Sequence, residues 1–397
     1  MGLFVYPVPE NHLSQKTMHL FAIEATALRC FIGTYTDQGS RGIYTCRFNA
    51  EQGTWEVPRL VAECDNPTFL ALHPSKPYLY AIGKFPMGML RGFHYDPQSG
   101  SLVPINEQEI PGQGPCHLTV CQSDAGDAVV VANYGSGSVA SFPIASDGRI
   151  GPVASHLTHT GSGPNTARQQ APHAHGVYFD GSTVAVVDLG IDRVVSYPLD
   201  LATATLSRSA DNTDLCTDLY LAPGAGPRHL AVSKDRRFTY VVNELDSTVS
   251  VFDRHLSCHP LHSVSTLSEG HNAVERNEVE RNNTAAEIAL HPSGKFLYVS
   301  NRGDDSMAVF AIDTAMPRAI QHIPSGGTTP RFFCLDPTGR FLLVCNQDSG
   351  TVCVFTIDQT TGTLTPTDQS IQVSQPACLV FARVDVLECG FLGNTTL

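Results

Sequence analysis

Six stretches of the chain share one rhythm: a short run of alternating apolar and polar residues, a tight turn, and a second apolar run. They are NPTFLALHPSKPYLYAIGK (66–84), GPCHLTVCQSDAGDAVVVANY (114–134), APHAHGVYFDGSTVAVVDLG (171–190), GPRHLAVSKDRRFTYVVNE (226–244), TAAEIALHPSGKFLYVSNR (284–302) and TPRFFCLDPTGRFLLVCNQ (329–347). Alternation with period two reads as half-buried strand, and the Pro- and Gly-bearing segments between the runs read as turns. A third strand follows most units, as in TVSVFD (248–253), MAVFAID (307–313) and TVCVFTID (351–358), and then a weaker fourth, as in SLVPINEQEI (101–110). The opening position of the unit, held by Pro67, Pro115, Pro172, Pro227, Ala285, Pro330 and Pro376, recurs every 45–58 residues. Four strands at that period predict propeller blades rather than a solenoid, because helical patterning is nearly absent. The polar stretch AVERNEVERNN (273–283) is the longest helix-like run and reads as a loop insertion.

The two ends of the pattern complement each other. QPACLVFARV (375–384) supplies a first strand with no second, whereas LRCFIGTYT (28–36), GIYTCRF (42–48) and WEVPRLVAE (55–63) supply three strands with no first. Joined, they make one blade, and the joint hides two edges that an open ring would expose. The expected fold is therefore all-β: a seven-bladed β-propeller of four-stranded antiparallel blades over residues 28–384, its ring closed by the C-terminal strand. Residues 1–27 and 385–397 fall outside the repeat as an extension and a tail.

In such a ring the first strand of each blade lines the central channel, so the repeat defines two sets of equivalent positions. The set that opens the first strands holds Thr68, Cys116, His173, Arg228, Ala286, Arg331 and Ala377. The set just after the second strands holds Lys84, Tyr134, Leu189, Glu244, Arg302 and Gln347. A purely structural repeat would fill these slots alike. Here they hold an imidazole, a phenol, a carboxylate, an amide and several cations, which points to a site at one mouth of the channel. The bland reading of any one pair, such as Arg228 with Glu244, is an ion pair that pins a blade.

Composition sharpens this picture. Charged residues make up only 16% of the chain and hydrophobic ones 42%, which suits a well-buried core. The net charge of −13 and the lack of any basic run argue against nucleic acid as a partner. No apolar run is long enough to span a bilayer, and the N-terminus lacks the pattern of a secretory signal. The twelve cysteines include no C-x-x-C pair and several lie in strand-like runs, so reduced thiols in a cytoplasmic protein are expected. The sequons at Asn282 and Asn394 are discounted on the same ground. His173 and His175 share one face of a strand but have no third ligand at a fixed spacing, and RHLSCHPLH (254–262) reads as a solvated loop, so no metal or other cofactor is expected. Signatures of serine hydrolases, P-loops and dinucleotide sites are absent.

The chain resembles the seven-bladed lactonase family, which includes the propeller type of 6-phosphogluconolactonase and the fungal carboxymuconate cycloisomerase. The resemblance runs from FIGTYTDQGSRGIYTCRF (31–48) to QPACLVF (375–381) and is strongest in RQQAPHAHGVYFD (168–180), PGAGPRHLAVS (223–233), VVNELDSTVSVFD (241–253), HPSGKFLYVSNRGDDSMAVFAID (291–313) and DPTGRFLLVCNQDSGTVCVF (336–355). It implies a small anionic lactone as the bound species and no metal. The polar residues it implies for chemistry fall on His173 or His175, Arg228, Glu244 and Arg302. The expected reaction is hydrolysis of a sugar δ-lactone in the channel, 6-phosphogluconolactone foremost. Glu244 or the histidine would act as base, Arg228 would stabilise the oxyanion, and Arg302 with Arg331 or Lys84 would hold a phosphate or carboxylate. Tyr134 and Gln347 would complete the binding surface. The alternatives are a lactone-forming cycloisomerase and a non-enzymatic binding propeller. Cys116 in a first-strand slot, the shortened STVAVVDLG and the long loop 254–285 depart from the family pattern.

Overall fold

A computed structural model describes residues 27–83, 88–208, 217–269, 283–313 and 316–382. Lys84, most of the polar stretch 273–283, both sequon asparagines and the terminal segments lie outside them. Seven antiparallel sheets are present in a seven-bladed propeller, six built from one repeat unit each and one from the two ends of the repeat. The innermost strands are Pro376–Phe381, Phe69–Leu72, Pro115–Ser123, Ala174–Phe179, Pro227–Val232, Thr284–Leu290 and Pro330–Leu335, which we number as blades I to VII in that order. In blade I the strand Pro376–Phe381 pairs with Ala27–Thr34, so the last described strand completes the first sheet. The expected strand over 55–63 is instead two short ones, Thr54–Trp55 and Arg59–Glu63. Pro58 lies between them and has no N–H to give the ladder. The only helical element among the described residues is a single 3-10 turn, Leu189–Ile191.

Seven hydrophobic clusters hold the ring, one at each junction between neighbouring blades. Val, Ile, Phe and Tyr on alternate strand positions supply them, as the period-two pattern requires. A second device repeats at the end of the second strand, where Asn133, Asn243, Asn301 and Asn346 are fully buried. The Asn301 amide donates to the Thr266 carbonyl of the preceding blade at 2.9 Å, and Asn133 likewise to Pro111 at 2.9 Å. In blade IV the same position is Asp188. It reverses the polarity, accepting from His159 Nδ1 at 2.6 Å and from the His173 backbone N–H at 2.7 Å.

The innermost strands carry a feature that alternation alone does not predict. In six of the seven, the register with the second strand slips by one residue near the start. Each slip is a β-bulge, which turns two consecutive side chains towards the channel instead of one. Two tiers result. The upper holds Cys116, His175, Arg228 and Arg331; the lower holds His117, Gly176, His229, Glu287 and Phe332, with Phe69 beside them.

Candidate active site

The bulges correct one assignment made from the repeat. Ala174, not Pro172, pairs with Asp188, just as Pro227 pairs with Asn243. His175 is therefore the residue equivalent to Arg228, and His173 lies two positions earlier, at the entrance to the strand. Pro172 before His173 mimics the proline that opens most of the other units, which is why sequence alone misplaces it.

The upper tier assembles around one carboxylate. Glu244 Oε2 lies 3.0 Å from Arg302 Nη2 and 3.3 Å from Arg228 Nε, the latter an ion-pair contact rather than an aligned hydrogen bond. Glu244 Oε1 accepts from Arg168 Nη2 at 2.6 Å. Burial alone would raise the Glu244 pKa, but the guanidiniums of Arg302, Arg228 and Arg168 outweigh it and hold the pKa at about 2. Arg228 is itself buried, which lowers its pKa to about 10, with Arg302 and Arg331 pushing the same way. Its Nη1 donates to the Ala286 carbonyl at 2.7 Å, so the side chain spans from blade V to blade VI.

Beside this cluster, the Tyr134 ring stacks on His173 with centroids 4.5 Å apart and planes 16° from parallel. His173 Nδ1 lies 2.8 Å from the Tyr134 carbonyl, an acceptor only, so Nδ1 carries a proton. The Tyr134 hydroxyl accepts from Arg168 Nη2 at 3.2 Å. His175 lies deeper, with its ring 5.1 Å from His229 and, among the described residues, no hydrogen-bond partner for Nδ1. Burial, then the nearby Arg228 charge, pushes its pKa well below the usual value. Arg331 lies over the Tyr35 ring at 5.3 Å and makes no ion pair among the described residues. Gln347 is not joined to the cluster; it borders a polar cleft of about 390 Å³ shared with Gln38 and Gln375.

The lower tier went unnoticed in the sequence. His229 Nδ1 is 3.0 Å from both oxygens of Glu287, and the His229 ring lies 5.0 Å from that of His117. Phe69 closes the layer, 4.1 Å from His117 and 6.0 Å from Phe332. Burial lifts the Glu287 pKa to about 7 and drives those of His117 and His229 far down. Among the described residues no group of His, Cys, Asp and Glu has the geometry to hold a metal ion. Arg168, too, was absent from the repeat slots. It stands in the linker between blades III and IV, where no periodicity could mark it.

A seven-bladed propeller with a cationic, imidazole-bearing cluster at one mouth of its channel defines the class. Residues 29–381 match the family model described as lactonase, 7-bladed beta-propeller, and the chain belongs to that family. It is 34% identical to the 6-phosphogluconolactonase of Bacillus subtilis over 88% of this chain and 97% of that one. Identity to the 6-phosphogluconolactonase of Formosa agariphila is 31%, over 77% and 85%. Among solved structures, the periplasmic gluconolactonase of Pseudomonas aeruginosa superposes with a TM-score of 0.81 at 31% identity, covering 90% of this chain and 99% of that one. The chain is a lactonase, which removes the binding-platform alternative. No described helix is long and apolar enough to cross a membrane.

Proposed function

We propose that the protein hydrolyses 6-phosphogluconolactone to 6-phosphogluconate at the upper tier of the channel. The observation that carries this reading is the gathering of Arg168, Arg228 and Arg302 about a single ionised carboxylate, with Arg331 near enough to act on Arg228, in a chain of net charge −13. Such an excess of positive charge in one cluster calls for an anionic guest. Planar guanidiniums meet phosphate or carboxylate with two parallel hydrogen bonds, so Arg302 and Arg331 suit the phosphate.

Of the two candidate bases, the histidine fits better. A carboxylate held at a pKa of about 2 accepts protons poorly at neutral pH, so Glu244 serves to organise the arginines. His173, with Nδ1 fixed on the Tyr134 carbonyl, has Nε2 free to take a proton from water. As that proton leaves, the water oxygen bonds to the lactone carbonyl carbon and the negative charge on the carbonyl oxygen is met by Arg228. Collapse breaks the ring C–O bond, and His173 returns its proton to the departing ring oxygen. The product is a hydroxy acid that ionises at neutral pH. A cytoplasmic setting accords with the buried, unbridged thiols of Cys30, Cys46, Cys121, Cys345 and Cys378.

The test is proton release from freshly made 6-phosphogluconolactone, corrected for spontaneous hydrolysis, by the wild type and Arg228→Ala. Rapid turnover that drops by about a hundredfold or more in the variant is expected. A folded wild-type protein with no turnover above background, or one active only on an unsaturated dicarboxylate, overturns the reading.

A further inference from the structure

Arg168 differs from the other cations of the cluster in how it is held. Arg228, Arg302 and Arg331 project from strands or their ends, whereas Arg168 projects from the linker that joins blades III and IV. That linker is stiff. Asn165 Oδ1 accepts from the backbone N–H groups of Ala167 and Arg168, and the Asn165 carbonyl accepts from Gln169 N–H at 2.7 Å. Gln169, fully buried, donates through Nε2 to the Leu189 carbonyl and to Asp192 Oδ1, both at 2.8 Å. A Cβ on Gly163 would sit 2.5 Å from the Gln169 side chain, so only glycine lets the linker close on this anchor.

On that fixed base the guanidinium is only partly used. Its Nη2 serves both Glu244 and Tyr134, while Nη1 and Nε have no protein partner among the described residues. Its side chain is 38% exposed, against 3% for Arg228 and 14% for Arg302. It is more accessible than Arg228 and Arg302, with two nitrogens and their three N–H donors unspent.

We propose that Arg168 is a specificity-determining residue that binds the anionic substituent of the lactone from the linker side, opposite the strand-borne arginines. This rests on the reading of the site as one for an anionic lactone. An oxyanion bridging Arg168 and Arg302 takes up the spare donors without disturbing Glu244, which keeps both guanidiniums aligned. Tyr134 ties this contact to the chemistry, since its hydroxyl meets Arg168 while its ring and carbonyl fix His173. Capture of the anion and orientation of the base are thus joined through one side chain.

The experiment compares the wild type, Arg168→Ala and Arg168→Lys on 6-phosphogluconolactone and on uncharged glucono-δ-lactone, with calorimetric titration of 6-phosphogluconate and gluconate. In Arg168→Ala the KM for the phosphorylated lactone should rise by at least about tenfold more than that for the neutral one, the loss expected for a charged hydrogen bond. Binding of 6-phosphogluconate should weaken by a similar factor while gluconate changes little. Lysine should recover part of the loss, having the charge without the fork. Equal rises on the two lactones, or unchanged 6-phosphogluconate binding, would overturn the role. A wild type that binds 6-phosphogluconate but does not turn over its lactone sinks the proposed reaction and leaves Arg168 to be decided by the titrations. A wild type that binds neither product overturns both.

Discussion

Glu244 and Glu287 lie in successive tiers of one channel, both buried, both on blades that carry a bulge, yet their environments drive them apart. Three guanidiniums crowd Glu244 and hold its pKa at about 2. Glu287 faces His229 directly, with Arg228, Arg331, His117 and Tyr178 in the surrounding field, and burial lifts it to about 7. Depth of burial is common to the two, so the number and closeness of fixed cations decides the charge. The upper tier is built to stay ionic; the lower is built to share a proton between a carboxylate and an imidazole.

The largest effect should come from breaking the upper tier. Glu244→Gln leaves the buried guanidiniums of Arg228 and Arg302, and the partly exposed one of Arg168, without their counter-charge, so we expect about 3–5 kcal/mol lost from unfolding free energy. Activity should fall with it, as Arg228 and Arg302 lose their common anchor. Denaturant midpoints and initial rates will read the two losses, and a variant with wild-type stability would refute the anchoring role. The pH dependence follows from the same contrast. A depressed carboxylate adds stability above its unfolded pKa, and that contribution is lost as pH falls from about 4.5 towards 2.

Glu287 should act in the opposite sense and more mildly. Its folded pKa lies above its unfolded one, so the native state binds the extra proton and loses stability as pH rises from about 4.5 to 7. Glu287→Gln should flatten that part of the stability–pH curve. If the slope persists in the variant, another group carries it. Tyr134→Phe sharpens the comparison least: it removes the hydroxyl acceptor of Arg168 but keeps the stack on His173, and a rise of about threefold in KM for the phosphorylated lactone is expected. An unaltered KM would show that Glu244 alone suffices to place Arg168.

Much of the architecture is legible because a propeller repeats. The period, the four strands per unit and the exchange of a strand between the chain's ends all follow from alternation and counting. Arg228, Glu244 and Arg302 emerged because they break a slot that a repeat should fill alike, and the structure brings all three together. His173 and His175 could not be separated, since a bulge shifts register without altering composition. The bulges had a signal nonetheless: two polar or small residues in succession at 116–117 and 228–229 interrupt strict alternation. Arg168 breaks no slot, because a linker residue reaches the site through tertiary folding alone; its one mark is that it opens RQQAPHAHGVYFD, where the family resemblance is strong. Gln347, picked out by its slot as Arg228 is, borders a polar cleft with Gln38 and Gln375.

The shared blade also sets a timetable. A ribosome delivers Ala27–Thr34 early and Pro376–Phe381 last of the described strands, so blade I waits without its innermost strand while six others are made. Until then the inner edge of Ala27–Thr34, with Cys30, Phe31 and Ile32 wholly buried in the finished ring, has no covering strand. A nascent or truncated chain therefore displays an apolar, unpaired edge of the kind that invites chaperones or aggregation. Closing the ring is in effect the proofreading step of biosynthesis: only a chain read through its final strand can hide the mark of being unfinished.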